Sequence, residues 1–452
     1  MKLTMRKAVV PPLLMNTEQI PTKNGVAYED LNREFPSLDN QVKEGLSSGI
    51  ELRVLTLNVW CLPQPWPIGS KDRKYRLKKL ADAIIAEKYD IVGLQEVWTF
   101  SDYVEMAERL RSCLGYHHYF HSGFTGSGVC VFSRYPIVST LTHRYSLNGF
   151  AHHIHRGDWF GGKVVGLVEV EVGEIRVNFY TTHLHAEYDR EHDSYLPHRT
   201  SQSFELSQFV RHTAHGADVV IVVGDLNMEP EDLGLRLILS QVRLMDAWRV
   251  AHPIVSPDGS PPSVSSLSQS RGVAHGGTCD RPDNCYSISK YRENDESKRI
   301  DYILFKGGHM SVSLEQCDIA MNKIPDENLN YSDHVGVQAR FRIENGKREL
   351  SCEWEPNRPL LIEAIGIVSG GQRRARSDRT LFVCGAIFIF VTIFLSLFLD
   401  NLFPPISLLL SMFRFTMTVV MAFCLWYGVI GLTLERKALK AAKQSMRQLL
   451  ND

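Results

Sequence analysis

VVIVVGDLN, residues 219–227, is a strand-like stretch that is apolar along its length and becomes polar only where it ends. Five consecutive aliphatic residues without alternation are typical of a strand buried within a sheet. Asp225 and Asn227 follow at its carboxyl end, where a buried strand has no structural use for them. The stretch therefore predicts a sheet packed against helices, with polar chemistry at the ends of its strands.

Strands and amphipathic helices alternate on both sides of this stretch, which predicts one α/β (α+β) domain over residues 50–343. Apolar residues with a period near 3.6 predict a helix at 76–89, and residues 200–214 are also predicted to be helical. A segment rich in Pro, Ser and charged residues, 253–299, is predicted to be an exposed loop. The clearest predicted strands lie at 52–58, 90–96, 164–172, 175–183, 219–227, 299–305 and 334–343.

Polar side chains recur at the ends of these strands. Each one alone has an ordinary structural explanation, because Asn and Asp are common in turns and a single His or Glu is usually hydrogen-bonded or solvated. Their repeated placement is the signal, and it predicts a shared site. The residues concerned are Asn58, Glu96, His183, Asp225, Asn227, Asp301, Asp333 and His334.

The motifs that carry these residues resemble a known family when they are taken in order. LTLNVW, GLQEVW, THLH, GDLN, RIDYIL and SDH resemble the DNase I-like endonuclease/exonuclease/phosphatase superfamily over about residues 50–343. TGSGVCVFSRYPI, HRGDWFGGK, THLHAEY and GDLNMEPEDLG are closely similar to the short, twin-spanning neutral sphingomyelinases of animals. The resemblance implies a four-layer sandwich in which two mixed β-sheets are flanked by helices.

The expected chemistry explains several of these residue types. A phosphodiester repels nucleophiles, so its hydrolysis calls for a hard cation with oxygen ligands and for a base that activates water. We predict Glu96 as the Mg²⁺ ligand, assisted by the amide oxygen of Asn58, because Mg²⁺ takes only one or two protein carboxylates. His334 is the predicted general base, since an unperturbed histidine pKa of roughly 6.5 suits proton transfer near neutral pH. Asp301 would fix its tautomer.

The resemblance implies roles for the remaining residues of the set. Asp225 and Asn227 would orient the attacked phosphate or the nucleophilic water. His183 would donate a hydrogen bond to the phosphate or leaving group, and Asp333 would support the metal side of the site. The superfamily assigns the water proton to either Asp225 or His334, and we predict His334.

GDWFGGKV, residues 157–164, nearly spells a nucleotide-binding P-loop. Its last residue is Val164, however, where the P-loop has Ser or Thr, and Val164 opens a predicted strand, whereas a P-loop precedes a helix. ATP is therefore not predicted as a ligand. In the sphingomyelinase-like pattern this turn would lie beside the active site, with Lys163 able to reach a lipid phosphate.

The aromatic stretch that leads into this turn offers a second substrate contact. Trp159, Phe160 and Tyr145 could lie near a choline headgroup, because aromatic ring faces attract a quaternary ammonium. The alternative is that these rings belong to the core behind the site. Trp159 is kept as the predicted substrate-binding residue.

The carboxyl-terminal part of the chain predicts a hairpin of two transmembrane helices. Residues 381–399 are uncharged and long enough to cross a bilayer core of roughly 30 Å. Residues 400–414 form a short loop and a helix start that carries Arg414, and 415–434 form the second span. The flanks are basic on both sides, so both termini are predicted to be cytosolic in the endoplasmic reticulum or another membrane.

The remaining segments and the composition limit the range of functions. Residues 1–49 are predicted to be a flexible polar leader, 344–380 an irregular linker and 435–452 a basic cytosolic tail. The net charge of −1 gives no basis for binding nucleic acid, and nine scattered cysteines indicate neither a disulfide framework nor a zinc site.

Together these features predict an Mg²⁺-dependent phosphodiesterase that hydrolyses sphingomyelin to ceramide and phosphocholine at a membrane surface. A membrane anchor favours a lipid over soluble DNA as the substrate. Two alternatives stay within the superfamily: a phospholipase C acting on lyso-phosphocholine lipids, and a phosphoinositide phosphatase or nuclease. A non-catalytic membrane tether is the third. No cluster of Lys and Arg in the motif segments favours a polyphosphate substrate.

Overall fold

Two six-stranded β-sheets form the centre of this computed structural model, which describes residues 49–64, 69–253, 276–288, 297–345 and 354–451. In spatial order the first sheet contains β11 (Ser311–Ala320), β12 (Gly336–Glu344), β1 (Ile50–Asn58), β2 (Ile91–Gln95), β4 (Cys130–Ser133) and β3 (Tyr116–Tyr119). The second contains β5 (Ile137–Arg144), β6 (Val164–Val172), β7 (Ile175–His183), β8 (Val219–Asp225), β10 (Asp301–Gly307) and β9 (Met245–Asp246).

Both sheets are mixed, as predicted. The pairs β1/β2 and β7/β8 are parallel, and the other neighbours are antiparallel. All seven predicted strands are present within a few residues of their predicted bounds. The unpredicted strands gave weaker signals: β3, β4 and β9 have four residues or fewer, and β5 and β11 are largely exposed.

Helices cover the outer face of each sheet and complete the four layers. Helices α1 (Arg73–Glu87) and α2 (Phe100–Leu110) pack on the first sheet, and α3 (Leu196–Thr213) and α4 (Leu233–Val242) pack on the second. A short helix, α5 (Ala247–Ala251), follows β9. The largest apolar core lies between the sheets, where side chains from both sheets are fully buried. The predicted sandwich is therefore confirmed.

The carboxyl-terminal segment is helical. It comprises α6 (Arg358–Ser396), α7 (Leu399–Leu402), α8 (Ser407–Trp426), a π-helical turn (Tyr427–Gly431) and α9 (Leu432–Asn451). Two helical stretches, Arg358–Ser396 and Pro404–Asn451, are long and apolar enough to cross a membrane, judged by length and composition. Their apolar side chains are mostly exposed, as expected for surfaces that contact lipid.

The prediction of an irregular linker at 344–380 was wrong from Arg358 onward. Asn357 caps the start of α6 by accepting a hydrogen bond from Leu360 N at 3.3 Å, and Pro359 occupies the first turn, where proline is tolerated. Leu361 is fully buried against apolar side chains of α3 and α4. The 435–452 tail is likewise ordered: α9 packs on α6 through Leu439. Residues 346–353 lie outside the described part.

The segment 253–299, predicted to be an exposed loop, is irregular but only partly exposed in the part that the structure describes, 276–288 and 297–299. Arg281 is buried, with its guanidinium bonded to Asp283 and to the Gly277 carbonyl at 2.8 Å. Asn284 is also buried and donates to the Ser332 carbonyl at 2.8 Å. The polar residues that suggested exposure are thus paired internally. Residues 254–275 and 289–296, like the predicted leader up to residue 48, lie outside the described residues.

Arg414, predicted to mark the start of the second span, lies about two turns inside α8. Its guanidinium contacts Asp400 Oδ1 at 2.5 Å and Ser396 Oγ at 3.1 Å. The pair therefore neutralises the only two charged side chains in the sequence between residues 381 and 434 and ties the two arms of the hairpin together.

Candidate active site

The strand ends that carry the predicted residues meet at one end of the sandwich. In the second sheet His183 lies opposite Asp225, and Asp225 lies opposite Asp301, so three adjacent strands present these side chains side by side. In the first sheet Asn58 lies opposite Gln95, which places Glu96 immediately beyond it. The parallel pairs β1/β2 and β7/β8 explain this convergence, because parallel strands end at the same edge.

Asn58 joins the two sheets at this edge. Its amide nitrogen donates to Glu96 Oε1 at 2.9 Å and to Asp225 Oδ2 at 3.0 Å. Its amide oxygen accepts from Trp60 N at 3.0 Å. The amide therefore bridges two carboxylates, and the metal-ligand role expected for its oxygen stays a prediction.

His334 and Asp301 form a buried hydrogen-bonded pair. His334 Nδ1 lies 2.9 Å from Asp301 Oδ2, which leaves Nε2 as the other ring nitrogen. Burial opposes charge on the ring, but the neighbouring Cys279 thiol and the Asp301 carboxylate outweigh it and raise the pKa of His334 well above its usual value. The pairing predicted for these two residues is present.

His183 is held as a neutral imidazole. Burial lowers its pKa well below the usual value, and the nearby Lys163 lowers it further. Its Nε2 lies 3.5 Å from Asp225 Oδ2, and its buried Nδ1 has no hydrogen-bond partner among the described residues. A neutral ring can donate one hydrogen bond, which is the property that its predicted role requires.

The Asp225 carboxyl carries an unusual proton affinity. Burial raises its pKa to about 7, with a further increase from Asp301, whereas His334 and Asn58 oppose the shift. Burial also raises the pKa of Glu96, and the Asp333 carboxylate adds to that effect. Several carboxyl groups thus share a small volume in which mutual repulsion favours protonation.

This cluster fits a divalent cation. Asp225, Asp301 and His334 offer ligand atoms within 4.8 Å of one another, and Asp301 Oδ1 is buried without a hydrogen-bond partner among the described residues. Glu96 stands on the other side of Asn58 from this group. Carboxylate oxygens are preferred ligands of hard cations. The sequence predicted Glu96 for this role but not the group formed by Asp225, Asp301 and His334.

Asp225 predicts how the stability of the metal-free protein depends on pH. Its folded-state pKa of about 7 lies above the usual 3.8, so the folded state binds more protons between these values and stability falls as pH rises through this window. Between pH 5 and 7, Asp225 should lower the free energy of unfolding by up to about 1.4 kcal/mol per pH unit. We therefore expect the Tm of Asp225→Asn, measured in EDTA, to decrease less steeply over this range than that of wild type. The exposed Asp82→Asn is the control. Equal slopes for Asp225→Asn and wild type would contradict the assignment.

Lys163 lies inside the site. It is 2 % exposed, donates to the Leu184 carbonyl at 2.9 Å and lies 3.8 Å from Asp158 Oδ1. Burial lowers its pKa, while Asp158, Glu96 and Asp225 act in the opposite direction. Val164 begins β6, so the glycine-rich turn precedes a strand as predicted. Whether Lys163 contacts substrate stays a prediction.

The aromatic residues proposed for choline have different surroundings. Tyr145 is buried and hydrogen-bonded to Thr182 Oγ1 at 2.7 Å, so the alternative of a core position is correct for this ring. The Trp159 ring packs against Trp426 of α8 at 5.7 Å, and its neighbour Phe160 contacts it edge-on. Trp159 therefore lies where the domain meets the apolar helices, and substrate binding by this residue stays a prediction.

Two residues next to His334 were not predicted. Cys279 and Asp280 belong to the segment that was predicted to be exposed, yet they line a cavity of about 370 Å³ together with His334 and Asn227. Short irregular segments carry no hydrophobic periodicity, so no pattern in the sequence pointed to these two residues. In the structure Cys279 and the adjacent Thr278 are buried.

Comparison with known proteins agrees with this geometry. The pattern of the Endonuclease/Exonuclease/phosphatase family matches residues 55–334. The chain belongs to this family. A Caenorhabditis elegans member described as "Putative neutral sphingomyelinase" is 64% identical over 405 residues, 89% of this chain and 92% of that protein.

A second member is more distant. Sphingomyelin phosphodiesterase 2 of Mus musculus is 37% identical over 302 residues, 66% of this chain and 67% of that protein. A crystal structure of beta toxin from Staphylococcus aureus aligns with a TM-score of 0.48 and 17% identity, covering 64% of this chain and 99% of the toxin. The two relatives confirm the predicted resemblance to the neutral sphingomyelinases.

Proposed function

We propose that this chain is a magnesium-dependent phosphodiesterase that hydrolyses sphingomyelin to ceramide and phosphocholine. The observation that carries the proposal is the His334–Asp301 pair, set beside a cluster of carboxylates at the convergent strand ends. The names of the two relatives supply the substrate class. Among the alternative substrates, lyso-phosphocholine lipids carry the same headgroup as sphingomyelin. The substrate panel described below distinguishes the two.

The residues of the site divide the work of hydrolysis. Mg²⁺ held by Glu96 would neutralise the charge of the phosphodiester, which is the chemistry that a hard cation supplies. His334 Nε2 takes the proton from the attacking water, because Nδ1 is committed to Asp301. This role requires the neutral ring, and a bound cation would favour it by opposing the raised pKa of His334. Asp225, with a pKa of about 7, is the second candidate for that proton.

Other side chains position the phosphate. The backbone N–H of Asn227 donates to Asp225 Oδ1 at 2.9 Å, and its side-chain amide nitrogen donates to the Leu184 carbonyl at 3.0 Å. These two hydrogen bonds fix the orientation of Asn227. His183, as a neutral donor, stabilises an oxygen of the phosphate or leaving group. The Asp333 carboxylate, which acts on Glu96, stays on the metal side of the site.

The charge balance of the site supports a zwitterionic headgroup. Four carboxylates surround the reacting centre, and the positive charge of Lys163 acts on two of them, Glu96 and Asp225. A headgroup with several phosphates would be repelled by this balance, even with one divalent cation present. Phosphocholine instead brings one phosphate and one cation. Phosphoinositides are therefore disfavoured.

A substrate panel tests the proposal. The full chain in detergent with Mg²⁺ is assayed in parallel on sphingomyelin, a lyso-phosphocholine lipid, a phosphoinositide and plasmid DNA. We expect phosphocholine release from sphingomyelin that His334→Ala abolishes and that the exposed His309→Ala preserves. Faster turnover of the lyso-lipid would assign that lipid as the substrate instead. If none of the four compounds is hydrolysed, the remaining alternative is a non-catalytic membrane tether.

The membrane location is part of the same proposal. The two apolar helices cross the endoplasmic reticulum or another cell membrane, with the catalytic domain and the carboxyl terminus in the cytosol. Basic residues flank both helices on the domain side, at 373–379 and 435–443, which supports this orientation.

Glycosylation in microsomes tests the orientation. An acceptor site placed in a lengthened 400–405 loop should be modified, because that loop would face the lumen. An acceptor at the amino terminus is the control and should stay unmodified. The reverse result would contradict the proposed orientation.

A further inference from the structure

A cavity of about 370 Å³ lies beside His334. Asn227 and His334 line it together with Glu187, Glu229 and Asp280. Such a volume is at the lower end of the range for small-ligand sites. Any group bound here would be continuous with a phosphate at His334.

The lining of this cavity selects which half of the substrate it can hold. Half of its lining residues are formally charged, so it cannot accept the ceramide, whose hydrocarbon would have to displace hydrated carboxylates. The headgroup is the part that fits. Arg190 is engaged by Glu187 at 2.9 Å and by Asp232 at 2.9 and 2.7 Å. Asp280 and Lys298 form a second ion pair of the lining.

Asp280 stands out within this lining. Its φ of 52° lies in the left-handed region, which is unfavourable for most residues other than glycine. Two residues of the active site share this property, Glu96 with φ of 62° and Asn227 with φ of 50°. Backbone strain of this kind is concentrated at functional sites, because surrounding structure must maintain it.

The segment around Asp280 is held in place from both sides. An isolated β-bridge joins Cys279 to Lys298, and Lys298 Nζ lies 3.3 Å from Asp280 Oδ2. The Asp280 side chain is 22% exposed, so it remains accessible from the cavity. Lys298 is more exposed, at 39%, and can be displaced by another cation.

We propose that Asp280 binds the cationic end of the headgroup and competes for it with Lys298. The inference rests on the proposed function for the identity of the headgroup, a phosphate ester that carries a quaternary ammonium. The phosphate lies at His334 and Asn227, and the ammonium replaces Lys298 at the Asp280 carboxylate. Asp280 is thus a specificity residue and takes no part in bond cleavage.

Binding of two small phosphates to the full chain tests this assignment without relying on catalysis. Phosphocholine and methyl phosphate differ in the ammonium group, and calorimetric titration with Mg²⁺ present gives a Kd for each. We expect wild type to prefer phosphocholine and Asp280→Asn to reduce that preference roughly 10-fold, with little change in the Kd of methyl phosphate. Asparagine tolerates the left-handed conformation, so this substitution removes the charge and leaves the backbone.

A matched control and an opposite variant complete the design. Asp326→Asn makes the same change at another exposed aspartate with a left-handed φ of 60°, outside the cavity, and should have no effect. Lys298→Gln should strengthen phosphocholine binding, because the competing cation is gone. Equal weakening of both ligands by Asp280→Asn, or no preference in wild type, would overturn the proposal.

The same experiment separates this inference from the proposed function. Wild type that hydrolyses sphingomyelin but shows an unchanged preference in Asp280→Asn refutes the headgroup site alone. Wild type that binds phosphocholine through Asp280 but hydrolyses no lipid in the substrate panel refutes the proposed activity alone. The Tm of each variant shows whether it folds. If Asp280→Asn does not fold, the phosphocholine affinity of Lys298→Gln decides whether the proposal holds.

Discussion

His334→Ala is expected to lower kcat for sphingomyelin hydrolysis by roughly 10³-fold with only a small change in KM. In the proposed mechanism the histidine takes the proton of the attacking water, and its Nδ1 is fixed by Asp301 at 2.9 Å. Removing the ring leaves the carboxylate cluster and the phosphate-binding residues in place. The loss should therefore appear in the chemical step, measured as released phosphocholine under saturating substrate.

Two further variants test whether the loss of activity is specific to His334. Asp301→Asn should reduce kcat less than His334→Ala, because the ring remains but loses its preferred orientation. His309→Ala replaces an exposed histidine at the turn between β10 and β11 and should retain full activity. A decrease of less than 10-fold in His334→Ala, together with a large decrease in Asp225→Asn, would assign the water proton to Asp225.

Glu96→Gln is expected to reduce kcat/KM by roughly 10³-fold at standard Mg²⁺ and to raise the Mg²⁺ concentration needed for half-maximal activity. Glutamine can still accept the hydrogen bond from Asn58, so the site should keep its shape. What is lost is the negative charge that we propose holds the cation. Part of the activity should therefore return when Mg²⁺ is increased.

A binding measurement separates loss of metal from loss of fold. Mg²⁺ should raise the Tm of wild type, because a ligand that binds only the folded state stabilises it, and this increase should shrink in Glu96→Gln. Glu171→Gln, an exposed change on β6, is the control. An unchanged Mg²⁺ effect on Tm in Glu96→Gln would assign the cation to the group of Asp225, Asp301 and His334.

The central strands of the sheets could be predicted because they are buried on both faces. Val219–Asp225 and Ile175–His183 are almost completely buried, and such strands appear in the sequence as continuous apolar runs. Their polar ends then identified the site. Strands such as Ser311–Ala320 alternate between partly buried and exposed residues, so their sequence is closer to that of a loop.

The parts that could not be predicted depend on contacts between distant segments. Cys279 and Asp280 enter the cavity because buried hydrogen bonds from Arg281 and Asn284 fold their segment inward, and neither bond is visible in local composition. The start of α6 was missed for a related reason: Leu361 needs apolar partners on α3 and α4 to become part of a core. Local sequence patterns contain no information about which distant residues a segment will contact.

Helix α6 has a kinetic consequence for an enzyme held in a bilayer as proposed. Its 39 residues form one continuous rod of about 58 Å, of which the first turns are embedded in the catalytic domain and the last lie in the apolar hairpin. The domain consequently has no tether on which to swing towards distant lipid. Each molecule can process only the lipids that diffuse laterally to it, so its rate should follow the mole fraction of substrate in the membrane and be insensitive to the total lipid in suspension.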